Sequence, residues 1–315
     1  MRRALVSAFN AEAQTSYMQT VQRDAPALLD EWEDGEMDLA RALYRLVYNA
    51  SIRAIYGLDE LTSRDTQQLL DVLAQGSEMF LGRAPLPEGH YFKEGRLRHP
   101  VVEEALEYMW AHWRPTPLTR LLDTFPAQAK FDQTLTMLSA SLDTSMAALV
   151  WMFHLLSQNP KAFAEFCDDA RADVSTGYIT HALDETLRLY PTGGWLNTRE
   201  ICSPLSIRGF DLPAGTNVFC SSWVTQRDAR YFDSPDSFLP ERFASPPAPW
   251  TYFPFGGGAH LCIGRPFSLV ELPYLAALVV RTFDIEFLPR NTVQLRLRIG
   301  LTPEGEIPAR VRRRG

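Results

Sequence analysis

A cysteine in a glycine-rich loop is the first feature of this chain whose surroundings suit chemistry. In the run FPFGGGAHLCIGRPF, residues 253–267, Cys262 follows Gly256, Gly257 and Gly258 and precedes Gly264. Glycine tolerates positive φ and lets backbone approach something flat and bulky. A helix pattern opens just after the loop, and amides near a helix N-terminus stabilise a thiolate. Two readings stand side by side for a lone cysteine of this kind: a buried structural thiol, or an anionic ligand. The second feature is ETLRLYP, residues 185–191, where Glu185 and Arg188 share one helix face and can pair. Such pairs are also commonplace on solvated surfaces. The third is Asp143 beside Thr144 in the middle of an apolar helix, a costly placement unless both groups find partners. A threonine bonded back to its own helix beside a salt-bridged aspartate would account for them.

The elements that must hold these residues are mostly helical. Leu135, Leu138, Leu142, Met146, Leu149, Phe153 and Leu156 recur at steps of three or four, which predicts a helix over 135–158 ending at Asn159-Pro160. Its other faces are apolar too, so it belongs at the centre of the fold. Helices are predicted over 37–56 with Gly57 as a stop, over 62–82 with Thr62 and Ser63 as caps, over 101–113, and over 177–190. Another is predicted over 266–283, where Pro273 must kink the helix or sit near its start. Residues 83–100, rich in Pro, Gly and charge, read as a long loop. Between 195 and 220 short β-type pieces alternate with turns, 226–252 is irregular, and strand-like alternation returns after 285. The sum is a mainly α protein with small β-sheets, in one domain.

Composition narrows the function classes. The chain has 315 residues, 46% hydrophobic and 22% charged, which excludes collagen-like and disordered classes. A net charge of −7 disfavours nucleic-acid binding. The one basic cluster, Arg310, Arg312, Arg313 and Arg314, reads as a solvated terminus. Four cysteines without a CxxC pair do not make a zinc finger, and a chain of this size does not need disulfides, so a reducing, cytoplasmic compartment is expected. The opening MRRALVSAFNAEAQ has no long apolar stretch behind its arginines, so no signal peptide is expected. The apolar run after Asp143 is short for a bilayer, so no membrane segment is expected either.

The pattern Phe255-x-x-Gly258-x-x-x-Cys262-x-Gly264 resembles the haem-ligand loop of the cytochrome P450 family. In that family a cysteine thiolate ligates haem iron and favours O–O cleavage. The resemblance runs the length of the chain. It implies haem b (iron protoporphyrin IX) with Cys262 as the axial metal ligand. It also implies a buried triad of Glu185, Arg188 and Arg242, the last from PERF at 240–243, that locks the segment below the haem. Asp143 and Thr144 match the oxygen-activation site, Thr144 holding the oxygen-derived ligand and Asp143 gating protons, with Ser141 where the family often has glycine. Arg199, His260 and Arg2 match cations that hold the haem propionates; a satisfied loop histidine remains the simpler account of His260 alone. Trp195 and Leu196 fall where the family contacts substrate, although Trp195 suits a core position equally, and Met79, Phe80 and Tyr91 fall in its lid region.

The implied function is a haem-thiolate monooxygenase. It would insert one oxygen atom from O2 into a small, mostly apolar organic substrate. Electrons would come from a ferredoxin or a flavoprotein reductase docking near the cysteine side, where Arg265 is one candidate contact. The alternative is a truncated, non-catalytic or partner-dependent haem-binding relative. The family is longer at its N-terminus by on the order of a hundred residues, a large part of a typical domain. The expected architecture is therefore the cytochrome P450 fold lacking its N-terminal helices and first sheet strands, with residues 1–315 forming one partial domain.

Overall fold

The structure, a computed structural model, describes residues 2–60, 68–69, 71–73, 75, 85–93, 96–172, 177–193, 198–297 and 300–315. Within these, ten α-helices surround one core, and five small sheets lie at its edges. The expectations for Thr62, Ser63, Met79, Phe80, Trp195 and Leu196 fall outside the described residues.

Helix α1 spans Arg2–Ser7 and α2 Ala11–Leu29. Asn10 caps α2 by accepting from Ala13 N–H at 2.9 Å, and Tyr17, Met18, Val21, Ala25 and Leu28 bury one stripe. The sequence pattern hides α2 because Gln and Thr recur through it and Pro26 sits near its end. The segment expected as one helix over 37–56 is three pieces. Strand β1 covers Gly35–Asp38, α3 covers Leu39–Ser51, and a π-helical turn covers Ile52–Tyr56. Asp38 makes the break: its carboxylate caps α3 through Ala40 N–H at 3.0 Å and also accepts from Ile307 N–H at 3.1 Å. Gly57 ends the turn with φ +65°, and a Cβ there would stand 2.7 Å from the Arg114 carbonyl oxygen.

Residues 83–100 are not one loop. Strands β2 (Tyr91–Lys93) and β3 (Arg96–Arg98) pair as a hairpin that leads into α4, Pro100–His112. Helix α5 follows at Pro117–Leu122. The central helix α6, Ala127–Gln158, starts eight residues before the periodicity does, because its first turns are polar and half exposed. Further along, Leu138, Leu149, Phe153 and Leu156 are wholly buried, each contributing about 2 kcal/mol by removal from water. This helix is long and apolar enough to cross a membrane by length and composition, and more than half of its most apolar window is buried against the rest of the chain. Helix α7, Pro160–Arg171, which the sequence pattern also hides, packs with α8, Tyr178–Leu189. Helix α9, Ser222–Thr225, is a single turn. Helix α10, Arg265–Thr282, follows the cysteine and packs on α2, α7 and α8. Pro273 lies inside it without ending it.

The arginine-rich segment is a strand, not a solvated tail. Strand β11, Pro308–Arg313, lies between β1 and β8 (Phe283–Phe287), antiparallel to both. Arg310 pairs with Glu36 at 2.6 Å and Glu286 at 2.9 Å, Arg313 with Asp30 at 3.1 Å, and Arg312 with Asp284 at 3.3 Å. Its acidic partners come from both flanking regions, while Ala309 and Val311 fill the core side. Four other two-stranded sheets complete the β content. They are β2–β3, β4 (Thr198–Glu200) with β7 (Asn217–Phe219), β5 (Leu205–Ile207) with β6 (Phe210–Leu212), and β9 (Gln294–Leu297) with β10 (Leu301–Glu304). Phe210 and Phe219 in these sheets are exposed.

Helices α3 and α10 are joined in the core by a hydrogen bond from Ser51 Oγ to Glu271 Oε1 at 2.8 Å. Both side chains are buried. Loss of water raises the Glu271 carboxyl to about 8, against a smaller lowering by the Ser51 hydroxyl. In the unfolded chain this group ionises at about 4.3. Between those values the unfolded chain gives up a proton that the folded chain keeps, so this group makes stability fall as pH rises. We expect wild type to lose on the order of a few kcal/mol relative to Glu271→Gln between about pH 5 and pH 8. Urea unfolding of both proteins at the two pH values measures it, and parallel pH profiles would refute it.

Candidate functional site

The cysteine loop is closed by its own backbone. Cys262 N–H donates to Phe255 O at 3.0 Å, Gly256 N–H to Phe253 O at 3.0 Å, and Leu261 N–H to Gly258 O at 3.1 Å. Gly256 at φ +73° and Gly258 at φ +64° make these reversals, and nothing stands within 4 Å of where a Gly258 Cβ would be. Phe255 anchors the loop against the core. Gly264 caps α10 and lies close to the thiol, an ideal Cβ there standing 3.9 Å from Cys262 Sγ. All four cysteines are free, and Cys262 is exposed, so the buried-thiol reading does not apply to it.

Two guanidinium groups reach this loop from separate parts of the chain. Arg199, on β4, donates to Gly257 O at 3.4 Å and to Thr198 O at 2.8 Å. Arg2, on α1, donates to Leu261 O. His260 lies exposed on the 3-10 turn Gly258–His260 between those contacts. A thiol and two guanidiniums on one glycine-rich loop match the donors that an iron porphyrin with two carboxylates needs. The residues present therefore fit haem: Cys262 would hold the iron and the two guanidiniums would meet the carboxylates.

The loop rests on α8. Glu185 and Arg188 are wholly buried there. Arg188 Nε donates to Glu185 Oε2 at 2.7 Å and Nη2 to Oε1 at 2.9 Å. Its other three N–H groups go to carbonyls of Gln226 (2.7 Å), Pro235 (2.7 Å) and Ser237 (3.1 Å). Glu185 Oε1 also accepts from Leu239 N–H at 2.9 Å and from Arg242 Nε at 3.0 Å. The structure thus brings Glu185, Arg188 and Arg242 into one cluster. Every donor of the buried guanidinium is used, which is what makes a buried ion pair tolerable.

Gln226 joins this cluster to the cysteine loop, and sequence reasoning missed it. Its side chain is wholly buried. Nε2 donates to Leu187 O and Arg188 O, both at 3.0 Å, and Oε1 accepts from Phe253 N–H at 2.8 Å. No periodicity marks a single glutamine in a turn; its only sequence signal is its place in the segment between Arg188 and Cys262. Tyr252 adds a second tie by donating to Asp184 Oδ1 at 2.9 Å, and burial raises both of these groups.

Asp143 and Thr144 form a second group, on α6. Thr144 Oγ1 donates back to Ala140 O at 2.9 Å. Asp143 Oδ2 accepts from Thr302 Oγ1 of β10 at 3.4 Å. Around them Ala140 is exposed and Ser141 and Thr144 are half-buried, although the next two turns are buried on all sides. Ala140 is thus a solvent-open mid-helix position beside this pair, in a helix whose later turns are buried. Burial also pushes the Tyr56 hydroxyl, which lies against Ser141, well above the usual phenol range. Gly300 lets β10 approach: a Cβ there would stand 2.3 Å from Thr192 O and 3.8 Å from Asp143 Oδ2.

Known proteins share this arrangement of helices and loop. The family profile described as Cytochrome P450 matches residues 123–307. Cyclooctatin synthase of Streptomyces melanosporofaciens is 26% identical over 96% of this chain and 73% of its own length. A phenylacetaldehyde oxime monooxygenase of Prunus mume is 33% identical over 45% of this chain, and the match spans 30% of that enzyme. The crystal structure of a six-coordinated cytochrome P450 from Thermus thermophilus superposes with a TM-score of 0.76 at 31% identity, covering 99% of this chain and 79% of that one.

The two arginines of the cluster should differ sharply on removal. Arg188→Ala leaves Glu185 buried with half its partners and frees three carbonyls, so it should cost about 3–5 kcal/mol. Arg242→Ala leaves Glu185 with Arg188 and the Leu239 amide and should cost about 1–2 kcal/mol. Gln226→Leu should fall between them, at about 2–3 kcal/mol, because it strands buried backbone groups on α8 and at Phe253. Denaturant midpoints for the three variants check the ranking; equal costs for the two arginine variants would break it.

Proposed function

The chain belongs to the cytochrome P450 family, and on that premise we propose that it is a haem-thiolate monooxygenase, with residues 1–315 forming part of one cytochrome P450 domain. The observation that carries this reading is the exposed Cys262 on its closed glycine loop, with Arg199 and Arg2 bonded to the same loop. Monooxygenases among its relatives support the reaction class. These include cyclooctat-9-en-7-ol 5-monooxygenase of Streptomyces melanosporofaciens, 25% identical over 93% of this chain.

In this reading the cofactor is haem b, which supplies activation of O2 when bound through a cysteine thiolate. The chain's own residues do the rest. The Phe255–Cys262 backbone bond fixes the main chain that carries the sulfur. Arg199 and Arg2 bind the carboxylates, and each also braces a loop carbonyl, so the loop and its cations move together. His260 lies beside them as a third donor. On the other side, the opening at Ala140 gives a small molecule access to Thr144. Thr144 holds a proton at Oγ1, and Asp143, oriented by Thr302, resupplies it from the β10 side. The substrate is a small, mostly apolar organic molecule that receives one oxygen atom of O2. Its electrons come from a ferredoxin or flavoprotein reductase that docks on the cysteine side. Leu261 and Arg265 are exposed there.

A carbon monoxide difference spectrum of the reduced protein tests the premise. The strongly red-shifted band that names the family is expected from wild type and should vanish in Cys262→Ala. A histidine-type band from wild type, or no haem, would overturn the reading. Thr144→Ala should keep the band while product formed per electron falls by about tenfold or more, within what a positioned proton donor contributes. Unchanged coupling would remove Thr144 from its role.

A further inference from the structure

The hairpin before α4 carries a pair of histidines that nothing in the haem chemistry uses. Tyr91 pairs with Arg98 at the last step of the β2–β3 ladder, so residues 90 and 99 stand opposite each other one step further on. Both are histidine, and their ring centroids lie 4.7 Å apart with planes inclined by 58°. Side chains alternate across a strand, so the buried Arg98 belongs to the other face. There its guanidinium sits 3.5 Å over the Phe131 ring and donates to Gln128 Oε1 at 3.2 Å.

Backbone bonds hold the turn at His90 and the imidazole of His99. His90 N–H donates to Pro87 O at 3.1 Å, closing a turn with Gly89 at φ +79°. His99 is the N-cap of α4, its Nδ1 accepting from Val101 N–H at 3.1 Å. That leaves Nε2 as its free ring position. It lies so near the turn that a Cβ on residue 89 would stand 2.6 Å away. His90 is nine-tenths buried, and its Nδ1 is buried without a hydrogen-bond partner. A buried polar nitrogen left without a partner is uncommon and needs an explanation, a bound ion being one.

We propose that His90 and His99 bind a divalent transition-metal ion of the zinc, copper or nickel class. Imidazole suits these ions, at nitrogen–metal distances of about 2.0–2.1 Å. Two rings bound at neighbouring corners of such an ion have centroids about 4.5–5.2 Å apart, a range that includes the separation found. Among the described residues no cluster of three or more His, Cys, Asp or Glu side chains forms, so the remaining positions belong to water. The ion would clip the turn at Pro87–His90 to the start of α4.

Calorimetric titration of the haem-loaded protein with Zn2+ tests this. One saturable site is expected in wild type, weakened by about tenfold or more in both His90→Gln and His99→Asn. Asparagine is a good N-cap, so His99→Asn keeps the start of α4 while removing Nε2. Circular dichroism and the carbon monoxide band report that each variant is folded. No saturable binding by wild type up to about 1 mM Zn2+, well above the range of a two-imidazole chelate, overturns the proposal. So does unchanged affinity in either variant.

Discussion

A guanidinium buried without solvent on one short helix sets the terms for the rest of this molecule. Arg188 has five N–H donors, and taking them out of water is tolerable only if each finds an acceptor of good geometry. Glu185 supplies two, and three carbonyls from the segment between α8 and the cysteine loop supply the others. The stretch 226–252 that carries them holds no strand and only one short 3-10 turn, Pro240–Ala244. It is held because its carbonyls complete the charge's coordination, so a stretch rich in proline and turns is as firmly placed as a helix would be. The cysteine loop inherits that order through Gln226, whose amide bonds the end of α8 on one side and the Phe253 amide on the other.

The same logic separates rigidity from exposure at the site. Cys262 is exposed, yet the backbone on either side of it is tied down by short-range bonds and by two arginines from distant parts of the chain. A reactive sulfur needs such a combination, because its position must be set while its face stays open. On α6 the arrangement is reversed. The helix is buried on all sides from Ser145 to Leu156 and lies open just before that, around Ala140 and Thr144.

The parts of this site that were legible in the sequence are those whose spacing is set by one local element. The glycine loop around Cys262, the Glu185–Arg188 pair and the Asp143–Thr144 pair each lie within about one turn or one loop, so type and spacing carry them. The central helix was legible for the same reason, through its run of leucines. Gln226 was not, because its meaning lies in three partners supplied by other segments. The hairpin Tyr91–Arg98 hid behind prolines, glycines and charge that read as loop, and α2 and α7 behind polar faces that blur their periodicity. The arginine cluster read as a solvated end because Glu36, Asp30, Asp284 and Glu286, which accept its bonds, lie in segments far from it in the chain.

That strand has a consequence for how the chain can assemble. β11 is the middle strand of its sheet, and one neighbour, β1, precedes it by more than 270 residues, Gly35 opposing Val311. During synthesis β1 emerges early and waits with its edge unsatisfied until β11 follows. Asp38, which both caps α3 and accepts from Ile307 N–H, waits with it. Closing so long a loop is entropically slow, and an exposed strand edge invites wrong pairing in the interval. Helices α2 to α8 can pack on local contacts meanwhile. Docking β11 then joins a later segment to an earlier-formed body, and intermediates that lack β11 should depend more on chaperones than those that contain it.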